Sequence, residues 1–335
     1  MKNLKGNTFI LILITACVLY FVLKDDFSNI VNNLYKADIK LILIGLLLTV
    51  LYWFFKSLAL YNITKNYKNI PRREIFKQVT ITQFFHGVTP FASGGQPMQV
   101  YMLTKSGIKL THSTNIIVQN FFLYQMALIT HGVIAVGLNF FMNYIPANSF
   151  LRNLTILGFT INALVGLALI FVSFSEKFNS FVVNNLIAFF SKIKIVKKKD
   201  KSIKKWKTKI SEFHESAVIL RKDKGLIIKG YLYNMIGLLC YYLTPLFVIY
   251  ALGINISPVI VYVCCAYVSI IGSFVPIPGG SGGIEYSFLQ FFGYFITGSI
   301  LPAILILWRS ITYYFAMLAG GILFTTFKGE VKEWE

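Results

Sequence analysis

Seven apolar runs, most of them close to the length of a membrane crossing, constrain this chain more than any other feature; they cover 8–23, 41–63, 115–144, 153–174, 227–252, 258–276 and 301–326. A hydrocarbon core about 30 Å thick needs roughly 20 apolar residues per helical crossing. Within 335 residues these runs leave no room for a separate soluble domain. Charged residues make up 13% of the chain, where a soluble domain carries about 25%. The expected fold is an all-α polytopic membrane protein forming a single integral membrane domain over 1–335. Its halves are 1–174 and 225–335, joined by a basic cytoplasmic segment, 175–226.

The net charge of +19 sits mostly in loops. Between Lys192 and Lys209 lie ten lysines and one acid, Asp200, interleaved with Ile193, Ile195, Val196, Ile203 and Trp206. No nucleic-acid module surrounds this stretch, so nucleic acid is not an expected partner. A juxtamembrane polybasic segment marks the cytoplasmic side and is attracted to anionic headgroups. Cys17, Cys240, Cys264 and Cys265 all fall inside apolar runs without metal-ligand spacing and read as small buried residues. The run continues through "VLYFVL" after Cys17, so "ITAC" is mid-helix rather than a processing site.

Lysine and arginine counts set the topology. Loop 64–77 carries Lys65, Lys68, Arg72, Arg73 and Lys77 against Glu74, and reads as cytoplasmic. Working back from the basic segment places 94–113, with Lys105 and Lys109, on the cytoplasmic side as well. Both flanks of 78–93 are then cytoplasmic, so that segment must dip into the membrane and return. Parity treats 258–297 the same way from the outer face. Ile284 to Thr297 is only 14 residues, about 21 Å of helix, which is short of the core thickness. Two short crossings would satisfy the same parity.

Each of these segments is broken by similar words: "TPFASGGQPMQVYMLTKSG" (89–107) and "PIPGGSGGIEYSF" (276–288). Proline and glycine free backbone groups that hydrocarbon cannot satisfy, so such breaks belong where protein or a water-lined cavity surrounds them. Two broken hairpins, one from each face, are the pattern of inverted repeats with a binding site near the midplane. The expectation is about seven full spans plus two broken or re-entrant hairpins in an inverted repeat, with both termini cytoplasmic.

Ionisable groups inside the runs cost about 3 kcal/mol each at a helix centre. Arg309 lies mid-run in "LPAILILWRSITYYF", and Glu285 follows the second Gly-Gly, where a half-helix begins. A carboxylate is favoured at that helix start, and arginine grips phosphate in bidentate fashion. The two are equally readable as substrate ligands or as a mutual structural pair. His86, Gly94, Gly95 and Gln96 on the first break, and Gly279, Gly280, Gly282 and Gly283 on the second, complete the candidate substrate site. A lone intramembrane histidine more often makes a helix–helix hydrogen bond, and His131 is read that way. Lys56, near the cytoplasmic end of its span, is expected to snorkel. No catalytic residues are assigned: Ser-His-Asp, Cys-His, HExxH and P-loop patterns are absent from the sequence. No metal or cofactor is expected.

The two Gly-Gly motifs together with Arg309 resemble the transmembrane, flippase-like domain of the lysylphosphatidylglycerol synthase family, over essentially the whole chain. The resemblance implies a bacterial inner-membrane protein whose partner is a membrane phospholipid, anionic or aminoacylated. The chain ends nine residues after the last run, so it resembles the form without the cytosolic aminoacyltransferase domain, and a separate lipid-modifying enzyme is a possible partner. The implied function is a lipid flippase or transporter. The alternatives are a phosphatidylglycerol lysyltransferase-type enzyme or its membrane subunit, and a scaffold or small-solute transporter.

The charge argument is testable directly. Cysteines introduced at Ser106 and Ser202 are expected to react with impermeant thiol reagents only from the cytoplasm, and one at Asn255 only from outside. Labelling of position 106 from outside would mean that 78–93 crosses the membrane.

Overall fold

The computed structural model describes residues 27–145, 149–175, 177–181, 185 and 223–327. The run 8–23, the segment between Lys192 and Lys209, and the extreme C-terminus lie outside the described residues. Among the described residues every element is helical: α1 Phe27–Tyr35, α2 Ile39–Thr64, α3 Arg72–Val88, α4 Gly95–Lys105, α5 Leu110–Met142, α6 Ser149–Phe174, α7 Lys224–Ala251, α8 Pro258–Gly272, α9 Gly283–Phe292, α10 Ile300–Arg309 and α11 Phe315–Thr325. A π-helical turn, Ser310–Tyr314, joins α10 to α11. Among the described residues five helical stretches are long and apolar enough to cross a membrane: Ile39–Thr64, Leu110–Met142, Phe150–Leu169, Lys224–Ala251 and Ile300–Thr325. The protein is a polytopic helical membrane protein. The run 258–276 supplies only the 15-residue helix α8, about 22 Å long, which is the first arm of a hairpin.

The order long helix, hairpin, long helix occurs twice: α2, α3–α4, α5, and then α7, α8–α9, α10–α11. The capping aspartates (38 and 223) lie 185 residues apart, and the glycines at which the second hairpin arms begin (95 and 283) lie 188 apart. Each aspartate stops its long helix from fraying by accepting an otherwise orphaned amide. Asp38 accepts from Lys40 N at 2.8 Å and Asp223 from Leu226 N at 2.9 Å.

The equivalent helices α2 and α7 pack along one another, and two hydrogen bonds fix their direction. Asp38 N donates to the Ala251 carbonyl at 2.8 Å, and Asn62 Nδ2 donates to the Leu226 carbonyl at 2.8 Å. The start of each helix therefore lies beside the end of the other. Equivalent elements running antiparallel make the repeat an inverted one. The remaining contacts cross over with the same symmetry: α3 packs on α11 of the second unit, and α8 packs on α5 of the first.

Each broken segment folds back on itself. At the base of the first hairpin Gln78 Nε2 donates to Ser106 Oγ at 3.1 Å. In the second, the rings of Tyr267 on α8 and Phe291 on α9 lie 5.4 Å apart. Because the hairpins leave opposite ends of the α2–α7 pair, they approach from opposite directions, and their turns, Pro90–Ala92 and Pro278–Gly280, meet. Lys77 Nζ donates to the Thr326 carbonyl at 3.3 Å, so the base of the first hairpin and the end of α11 share one side.

Immediately after its proline each turn takes the same backbone course with different residues, and beyond it they diverge, Ser93 lying at ψ −15° and Ser281 at ψ 141°. After each proline come two positions in the left-handed region: Phe91 (φ 55°) and Ala92 (φ 50°) in the first, Gly279 (φ 64°) and Gly280 (φ 65°) in the second. For a residue with a Cβ this conformation costs about 1–2 kcal/mol. Ala92→Gly should therefore leave thermal stability in detergent unchanged or raise it, by at most about 1 kcal/mol. An ordinary helical alanine would instead lose about 1 kcal/mol on the same change. A fall in melting temperature for Ala92→Gly would contradict this turn geometry.

Candidate functional site

The meeting point of the two turns is organised by the helix that follows the second hairpin. Arg309 ends α10, and its Nε lies 2.8 Å from Glu285 Oε1, a charge contact rather than an aligned hydrogen bond. Its Nη2 donates to the Gly279 carbonyl at 3.2 Å, and its guanidinium sits 4.1 Å from the centroid of the Tyr313 ring. Glu285 Oε2 in turn accepts from Gly282 N at 2.7 Å, satisfying an amide at the start of α9. Both carboxylate oxygens are thus engaged. Trp308, stacked on Phe288 at 4.7 Å, holds α9 against α10 beside this pair. The sequence allowed a ligand role or a structural pair, and the pair is formed.

The π turn immediately after Arg309 widens the helix by one residue, a distortion found mostly at functional sites. It contains Tyr313, whose hydroxyl donates to the Gly87 carbonyl at 3.1 Å and so ties the last helix to the first hairpin. The bare Cα of Gly279 is needed here as well. A Cβ on it would lie 2.4 Å from the Tyr313 hydroxyl. On the first hairpin the histidine ring lies over Gly95, and His86 Nδ1 bonds to the Ala92 carbonyl across the turn. Thr89 Oγ1 accepts from Gly94 N at 2.8 Å.

A cavity of about 670 Å³ opens between the turns. Of the candidate residues read from sequence, His86, Gln96, Gly279, Gly280 and Arg309 line it, whereas Gly94, Gly95, Gly282, Gly283 and Glu285 lie outside its lining. Gln83, Gln99 and Asn120 add polar atoms to the wall. A buried relay backs it: Gln125 donates to Asn162 at 2.6 Å, and Asn162 donates to Ser273 at 2.7 Å, joining α5, α6 and the second hairpin. His131 does not belong to the site. Its Nδ1 meets the Tyr262 hydroxyl at 2.7 Å and its Nε2 the Met235 carbonyl at 3.0 Å, so it ties α5 to α7 and α8 as expected.

Sequence reasoning missed Lys56. It does not snorkel to the C-terminal end of α2 but lines the cavity, its Nζ donating to the Tyr52 hydroxyl at 3.3 Å. The ammonium lies 5.1 Å and 5.0 Å from the ring centroids of Tyr52 and Tyr124. The reason is geometric: side chains tilt toward a helix's N-terminus, so a lysine in the second half of α2 reaches inward more easily than outward. The Tyr52–Lys56 spacing of four residues on one helix face was the available signal.

No group of three metal-ligating side chains occurs among the described residues. Two comparisons with known proteins bear on the site. A UPF0104 membrane protein from Archaeoglobus fulgidus is 25% identical over 326 residues, covering 93% of this chain and 94% of that protein. The family model described as lysylphosphatidylglycerol synthase TM region matches residues 8–320, a span that takes in both hairpins, Lys56 and Arg309. The chain belongs to the lysylphosphatidylglycerol synthase TM region family.

Proposed function

We propose that the protein moves a phospholipid headgroup across the bilayer through the cavity between the two hairpin turns, in a cell membrane with both chain termini cytoplasmic. The observation that carries this reading is the cavity itself, about 670 Å³, bounded by both turns and lined by Arg309 and Lys56. That size suits a headgroup rather than whole acyl chains, which would stay in the surrounding lipid. Arginine presents several donors in a fork that matches phosphate oxygens. The second arms of both hairpins begin at the turns, so two positive helix ends face the middle of the protein. The α9 start is met by the Glu285 carboxylate at the Gly282 amide and the α4 start by the neutral Thr89 hydroxyl at the Gly94 amide, so the α4 end holds no negative charge of its own. Rocking of the two units about the α2–α7 seam would expose the site to one face and then the other. The family's name and the membrane-spanning architecture support a lipid role.

Arg309 has two tasks in this reading, and they separate experimentally. Removing one member of a buried pair leaves an unpaired charge, a typical loss of about 3–5 kcal/mol. Glu285→Gln and Arg309→Gln should each lower thermal stability, and the double variant should recover much of that loss. Flipping of fluorescent phospholipid in proteoliposomes should nonetheless stay lost in the double variant, because the cavity has lost its guanidinium. Wild-type flipping by the double variant would show that Arg309 serves only its partner.

A further inference from the structure

Around the cavity the charges do not balance. Two cations, Arg309 and Lys56, line it, and among the described residues no carboxylate does. Glu285 stands beside Arg309 with both oxygens already occupied. The other described acids are at helix starts: Asp38 and Asp223 cap α2 and α7, and Glu74 lies in the first turn of α3. Lys56 is therefore held by tyrosine alone, through one hydroxyl and two ring faces. An ammonium has three donors and only one of them is used here. A cation removed from water and given no counterion is costly, and ring faces return only part of that cost.

We infer that Lys56 is a second anion-binding residue, and that the cavity selects membrane lipids whose headgroup carries a phosphate and no ammonium. The inference deepens the transport reading and rests on it for the ligand being a lipid. Among the described residues Glu285 is the acid nearest Arg309, and its carboxylate is turned toward Arg309 and the Gly282 amide, outside the cavity lining. A lipid with its own ammonium, zwitterionic or aminoacylated, would bring that charge among Lys56, Arg309 and the start of α4, where the Gly94 amide meets only the neutral Thr89 hydroxyl. Like charges in a low-dielectric cavity repel strongly. A phosphate with a neutral remainder would instead draw the Lys56 ammonium off the tyrosine faces and neutralise the surplus.

The test is binding to the full-length protein in neutral detergent, measured by native mass spectrometry. The probes are phosphatidylglycerol, phosphatidylcholine, lysylphosphatidylglycerol and soluble sn-glycerol 3-phosphate. Phosphatidylglycerol is expected to bind at least about tenfold more tightly than either ammonium-bearing lipid, the scale of one charge-assisted contact. Lys56→Gln should erase that preference, and Lys56→Arg should keep it. Thermal unfolding verifies that both variants fold, and if Lys56→Gln does not, loss of the preference in Lys56→Met serves instead. Equal binding of the three lipids to the wild type, or an unchanged preference in the neutral variant, would overturn the inference. So would saturable binding of glycerol 3-phosphate without binding of phosphatidylglycerol. Selective phosphatidylglycerol binding without flipping in proteoliposomes would sink the transport reading while upholding the selectivity.

Discussion

Backbone broken at membrane depth has no water to turn to, and this one constraint organises the protein. Each freed amide and carbonyl must find a partner in the protein, at a cost of several kcal/mol if it fails. The two turns answer it together rather than separately. The Gly279 carbonyl is taken by Arg309, the Gly87 carbonyl by Tyr313, the Ala92 carbonyl by His86 and the Gly282 amide by Glu285. Tyr313 stands on the helix that follows the second hairpin and reaches the first. Neither hairpin is complete without an element from outside itself, which is why the turns meet where they do.

The same residues that satisfy the breaks also build the cavity. Arg309 closes the second turn with one face and lines the cavity with another, and His86 does the equivalent on the first hairpin. Satisfying the breaks and lining the cavity are thus overlapping tasks of single side chains. The symmetry, by contrast, stops at the backbone. One turn uses glycines where the other uses Phe91 and Ala92, and one helix start is met by a carboxylate, Glu285, where the other is met by a hydroxyl, Thr89. An inverted repeat with chemically unequal halves leaves the two faces of the cavity different.

The architecture was largely legible from the chain, because hydrophobic length and lysine placement are one-dimensional signals. Charge parity alone required 78–93 to return to its own side, and the hairpin 72–105 does so. The Glu285–Arg309 pair was legible because two opposite charges in hydrocarbon have few alternatives to meeting. Lys56 was not legible as part of the site, since its depth along α2 suggested snorkelling and only the three-dimensional fold brings Tyr124 of α5 to its other side. The left-handed backbone at Phe91 and Ala92 was equally hidden: nothing in those residue types asks for it, and it is imposed by the partner turn and by His86. Pairings across long sequence separation set these features, and a single sequence does not display them.

Hairpins from opposite faces meet turn to turn inside the protein. The most direct test of this meeting is a double cysteine variant, Ala92→Cys with Pro278→Cys, in a background where Cys17, Cys240, Cys264 and Cys265 are replaced. The two turns lie within 8 Å of each other, Cα to Cα. A short membrane-permeant bis-thiol reagent applied to intact membranes is expected to join the two positions within one chain, with neither single variant giving the product. Failure to join them in a folded protein, with each cysteine instead reacting freely with impermeant reagent from its own side, would contradict it.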